Sequence, residues 1–152
     1  MALGNSGLDD VTMMNMTMQM MEMHAKDMPM PGMDMAMMQG CIEACSACEQ
    51  ACTMCADSMM GAEMAKCAAM CMNTADMSNT MMRMMMRPHG MNADSGMAMM
   101  QAAVTMCTTT ADECMMHAEM SEDCRMCAEA CRQCAMACQK MMDSMKGMMT
   151  AG

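Results

Sequence analysis

The sequence predicts an all-α protein, an antiparallel four-helix bundle with a short additional N-terminal helix. Three observations predict it. Aromatic residues are absent and β-branched ones scarce, while helix-compatible Ala, Met, Glu, Gln and Lys abound. Cysteines recur in steps of four and three, which keeps them on one helix face. Glycine, proline and short polar clusters cut the 152-residue chain into runs of about 25 residues joined by short connections, the pattern of an up-and-down bundle.

Taken in order, the first run spans about 9–26 and carries MMNMTMQMMEMH (Met13 to His24). Its methionines are spaced too evenly for a narrow stripe, and it reads as a Met-rich helix lying across an open end of the bundle. MPMPG (Met28 to Gly32) ends it. The second run is about 33–58, closed by a tight turn at Gly61. The third, about 62–86, ends at RPHGMNADSG (Arg87 to Gly96), where Pro88 and Gly90 mark a loop. The fourth is about 93–117. Ser121 is placed as the N-cap of the last, about 122–147, with Cys124 at the third helical position. Gly147 is expected to begin a frayed tail. Residues 1–32 thus form a Met-rich N-terminal segment, and 33–152 the bundle.

The core is unusual. The chain has 41 Met and 14 Cys, no Phe, Trp or Tyr, and among the branched aliphatics only Leu3, Leu8, Ile42, Val11 and Val104. Methionine fills gaps but specifies packing poorly, so the composition points to a use for sulfur itself. The net charge of −10 argues against a nucleic-acid partner. No apolar run approaches the roughly 20 residues that span a bilayer. The start, MALGNSGLDD, lacks the pattern of a signal peptide.

CIEACSACEQACTMC places Cys41, Cys45, Cys48, Cys52 and Cys55 on one face. The last helix repeats the stripe with Cys124, Cys127, Cys131, Cys134 and Cys138. The middle helices carry Cys67 with Cys71, and Cys107 with Cys114. All 14 can face one interior. Methionines continue the stripes: Met38 and Met59 around the first, Met60, Met64, Met82 and Met85 around the second, Met97 and Met100 before Cys107, and Met141, Met145 and Met148 after Cys138. Folded antiparallel, Cys52, Cys55, Cys67, Cys114 and Cys124 cluster at the end bearing Gly61 and Ser121, here called the top. Cys48, Cys71, Cys107 and Cys131 come next, and Cys41 and Cys138 lie roughly 25–30 Å down. Below them every helix offers methionine (33 to 38, 81 to 86, 97 to 100, 141 to 149). The interior reads as a thiol-lined tube with a thioether-lined bottom.

Soft thiolates and thioethers select Cu(I), zinc or iron–sulfur clusters. A continuous stripe suits bridged Cu(I): two coppers per thiolate and two thiolates per copper give about one ion per cysteine, about 14 in all. Each Cu(I) would displace a thiol proton. Thioethers need no deprotonation, which fits a zone of uptake or hand-over. A disulfide scaffold is disfavoured because stripe neighbours on one helix are poorly set for a bridge. Structural zinc prefers CxxC knuckles in turns, whereas CSAC, CTMC, CRMC and CRQC fall inside helices. The spacing does not match ferredoxin-type clusters. Inert core filling fits single methionines, but not fourteen aligned thiols exposed to oxidation. His89 falls in the bottom loop, where copper on its way in could meet it, and His117 lies where it could cap the thiol column. His24, His89 and His117 each also fit an ordinary solvated histidine. A copper chaperone delivering few ions, and a thiol redox enzyme, are the competing functions. The latter needs a cysteine singled out for low pKa, and no catalytic constellation is visible.

CIEACSACEQAC and CRMCAEACRQCAMAC resemble the bacterial copper storage proteins, a Cys-rich four-helix-bundle family, over about residues 33–147. The resemblance implies Cu(I) storage inside the bundle by the fourteen cysteines and uptake at one end through Met and His residues. It also implies tetramers, the state of many members. A copper-delivering or copper-accepting protein is a candidate partner. Family members are exported or cytosolic. Methionine suits an oxidising compartment because thioethers form no disulfides, so the expectation leans to export, with the cytoplasm as alternative.

Overall fold

The computed structural model describes residues 16–25, 34–90 and 92–151. Five α-helices occur among them: α1 (16–24), α2 (Met35–Ser58), α3 (Ala65–Met85), α4 (Ala93–Met115) and α5 (Glu122–Ala151). Two 3-10 turns, Ala62–Met64 and Pro88–Gly90, complete the described elements, and no strand is found among them. The turn expected at MPMPG, together with Met13 and Met33, lies outside the described residues.

Side-chain caps start the helices. Asp34 accepts hydrogen bonds from the backbone N–H of Ala36 (2.9 Å) and Met37 (3.2 Å). Asn92 accepts from Ser95 N–H (3.1 Å), and Ser121 from Cys124 N–H (3.2 Å), the cap read from sequence. Gly61, at φ +97°, supplies the left-handed residue that turns the chain into α3. Gly147 does not fray the chain: α5 runs on through Ala151. A helical glycine costs only about 1 kcal/mol against alanine and breaks no hydrogen bond.

The helices run up, down, up, down. α2 packs on α3 and α5, and α4 packs on α3 and α5, so the four form a closed ring around one interior. The core is sulfur: all fourteen cysteines are buried, with Met38, Met81, Met85, Met100, Met141, Met142 and Met145 beneath them. α1 adds Met21 to this core, and its Met20 and His24 share a pocket with Met86 at the end of α3. None of the described helices is long and apolar enough to cross a membrane.

Candidate metal centre

α2 and α5 face each other with the same alternating steps, and their antiparallel register matches thiol to thiol. Cys41 Sγ lies 3.6 Å from Cys138, Cys45 3.6 Å from Cys134, Cys48 3.8 Å from Cys131, Cys52 3.5 Å from Cys127, and Cys55 3.8 Å from Cys124. Each step up α2 is answered by an equal step down α5. Diagonal contacts join the rungs: Cys52 lies 3.5 Å from Cys131 and 4.0 Å from Cys48. All fourteen thiols are free, and these separations are those of S–H···S contacts rather than bonded sulfurs.

α3 and α4 complete the walls. Cys107 joins Cys48 and Cys134 in one three-thiol group; Cys41, Cys45, Cys138 and Cys48, Cys52, Cys131 form two more. Cys71 does not sit at the Cys48–Cys107 level, as the sequence led us to expect. It lies 3.5 Å from Cys114 and 3.8 Å from Cys127, and with Cys55 these make a four-thiol group near the top. The shift arises because the 3-10 turn takes up residues 62–64, so α3 starts three residues later and holds Cys71 higher. Cys67 lies 3.7 Å from Cys114.

Hydrogen bonds among the thiols split their acidities. Donation from Cys138 brings Cys41 down to about 5, and donation from Cys114 brings Cys71 down to about 4. Hydrogen bonding from Cys107, and twice from Cys114, also lowers Cys48, Cys55 and Cys127. Cys45, Cys52, Cys107, Cys114 and Cys131 are raised as their partners' donors, while burial raises Cys124 and pushes Cys67 up to about 12. Cys134 is raised as well.

Below the thiols, Met38, Met85, Met100, Met141 and Met145 are buried and Met97 is partly so. A cavity of about 140 Å³ opens there, lined in part by Met81, Met84, Met85, Met99 and Met100. Met60 departs from the expected stripe: it lies between helices, where helical periodicity does not apply, and is 84% exposed. On α3, Met81 is buried along with Met85, whereas Met82 is only partly covered. The Met148 side chain is outside the described set. His89 is exposed at the bottom turn, its ring 5.4 Å from that of His24.

His117 lies at the top, with Nε2 3.2 Å from Glu113 and both close to Cys67. Lys66 Nζ reaches the other Glu113 oxygen at 3.4 Å. Sequence reasoning missed Glu113, although its place one turn before His117 was a signal. It also missed that Thr74, Ser78 and Thr110 occupy the stripes of α3 and α4; the Thr74 and Thr110 hydroxyls are 2.7 Å apart, and Ser78 Oγ is buried without a partner among the described residues.

Comparison with known proteins agrees with this arrangement. No curated protein sequence matches the chain. The profile of the copper storage proteins (Csp) matches residues 34–143. The structure of the copper storage protein Ccsp from Streptomyces lividans, loaded with 10 copper equivalents, superimposes with a TM-score of 0.78 at 37% identity, covering 84% of this chain and 98% of that one. A second structure, of copper loading to a cytosolic copper storage protein from Streptomyces lividans with five coppers, gives a TM-score of 0.69 at 42% identity over 71% of this chain and 93% of that one. That relative is cytosolic, which overturns the expectation of export. Methionine content misled because thioethers form no disulfides in either compartment, so their abundance does not discriminate between the two. A family match over most of the bundle, and structures at this identity, establish that the chain belongs to the copper storage protein family.

Proposed function

We propose that this chain is a non-enzymatic Cu(I) store of the cytosol. One observation carries the reading: fourteen buried free thiols form a network in which facing helices bring neighbouring sulfurs to 3.5–3.8 Å, with Cys107 within 4.8 Å of Cys48 and Cys134. Sulfurs at that spacing can share two- and three-coordinate Cu(I) with small shifts, and each ion displaces a proton instead of adding buried charge. The ligands are Cys41, Cys45, Cys48, Cys52, Cys55, Cys67, Cys71, Cys107, Cys114, Cys124, Cys127, Cys131, Cys134 and Cys138. Met38, Met85, Met97, Met100, Met141 and Met145, with exposed His89, form a thioether zone for uptake or release. His117 caps the top. Residues 1–32 are a Met-rich appendage to the bundle at 33–152. The bundle assembles as a homotetramer and exchanges copper with delivery or acceptor proteins.

An anaerobic titration of the reduced chain with Cu(I), against a competing chromophoric chelator, tests the reading. Saturation near about 14 ions is expected. Saturation at one to three would replace storage with delivery of few ions.

A further inference from the structure

From the four-thiol group at the top of the bundle we infer a second metal specificity: Cys55, Cys71, Cys114 and Cys127 form a tetrahedral site for one divalent d10 ion, zinc first among them. The inference goes beyond copper storage and concerns a different ion. Each of the four bundle helices contributes one sulfur: Cys55 from α2, Cys71 from α3, Cys114 from α4 and Cys127 from α5. All four are buried, and their sulfurs lie within 4.8 Å of one another. Two of the edges measure 3.5 Å (Cys71 to Cys114) and 3.8 Å (Cys71 to Cys127). Zinc–thiolate bonds of about 2.3 Å require tetrahedron edges of about 3.8 Å. The remaining edges, all within 4.8 Å, must contract by at most about 1 Å for the group to close on a single ion.

The chemistry separates this group from the rest of the column. Every other all-thiol group brings three sulfurs together, a number that Cu(I) fills. A fourth convergent thiol is surplus for one Cu(I) ion and completes the shell of a zinc ion that takes four ligands in a closed structural site. The surroundings supply an outer layer as well. Cys67 lies 3.7 Å from Cys114, where its S–H can donate to a bound thiolate, and Cys52 (3.5 Å from Cys127) and Cys124 (3.8 Å from Cys55) pack around the group as further sulfur neighbours. The sequence argument against zinc considered CxxC pairs within one helix. The site uses none of them; it takes one cysteine from each helix.

The test uses the full reduced, metal-free chain under anaerobic conditions, with Co(II) as the spectroscopic probe and Zn(II) as the competitor. One tight equivalent is expected, with the ligand-field bands and the intense sulfur-to-cobalt charge transfer of a tetrahedral four-thiolate site, bleached by one equivalent of Zn(II). Cys114→Ser and Cys71→Ser should each weaken binding by at least about 100-fold. Cys138→Ser removes a thiol from the far end of the column and should leave the cobalt spectrum as it is. No tight equivalent in the unaltered chain overturns the inference. So does a spectrum with a single thiolate ligand, which would place the ion at Cys67, Glu113 and His117. Equal loss in all three variants, with binding spread over many equivalents, also overturns it. The wild-type spectrum decides the matter even where a variant fails to fold, and Cu(I) capacity is measured separately, so either result stands without the other.

Discussion

Ser78→Cys should make the protein both more stable and more capacious. Ser78 continues the α3 stripe after Cys67, Cys71 and Thr74, and its side chain is fully buried, with Oγ lacking a hydrogen-bond partner among the described residues. An unsatisfied buried hydroxyl costs about 1–3 kcal/mol. Replacing its oxygen by sulfur removes most of that cost and changes the shape little, so a net gain of about 1–2 kcal/mol is expected. For a chain of this length that raises Tm by roughly 3–6 °C. The new thiol joins the column as a fifteenth ligand and adds about one Cu(I) to saturation. Denaturant unfolding of the reduced, metal-free protein measures the first effect, and anaerobic Cu(I) titration against a chelator the second. A variant less stable than the parent would show that the Ser78 hydroxyl is satisfied in solution. One that is more stable but binds no additional copper would show that the lower α3 wall does not face the metal column.

Met142→Ala should cost about 2–5 kcal/mol, because Met142 is 1% exposed and leaves a cavity, while thiol capacity is retained; denaturant melts and Cu(I) titration report the two. Ser121→Ala removes the cap that Cys124 N–H donates to and should cost about 1 kcal/mol on thermal unfolding. In the metal-free protein, Cys41 and Cys71 fall from the ordinary 9.0 to about 5 and about 4, so their contribution to stability is present above pH 9 and lost as pH falls toward 4. Cys67, raised to about 12, contributes in the opposite sense: its share is present below pH 9 and lost as pH climbs toward 12. Unfolding free energy measured across this range should therefore peak near pH 9, and a monotonic profile would contradict the thiol network. Cys138→Ala removes the main donor to Cys41, and the thiolate absorbance step of Cys41 near pH 5 should move upward.

Much of this was legible in the sequence. Steps of four and three fix which face of a helix carries sulfur, so the buried cysteines could be read directly. The breakers Gly61, Pro88 and Gly90, and the cap at Ser121, fixed the order of helices. The offset between helices was not legible, because it depends on how many residues a turn uses. The three residues at 62–64 moved Cys71 up a layer. Met60 failed for a related reason: a period holds only inside the helix that generates it. Glu113 was hidden by composition, since most of the 18 acidic residues of such a chain are solvated. Convergence of four thiols from four helices is a tertiary fact with no signature in any one segment.

The α2–α5 thiol ladder has a consequence for turnover of the protein. Its rungs join residues 69 to 97 positions apart, near the two ends of the bundle sequence. Metal bridges at those rungs close long chain loops, and such cross-links remove the most freedom from an opened chain. A loaded molecule must shed metal before either terminal helix can peel away. Proteases, which cut opened chains, would then spare full molecules and clear empty ones. Copper content would set the protein's lifetime, and a cell degrading the surplus would release no burst of free metal.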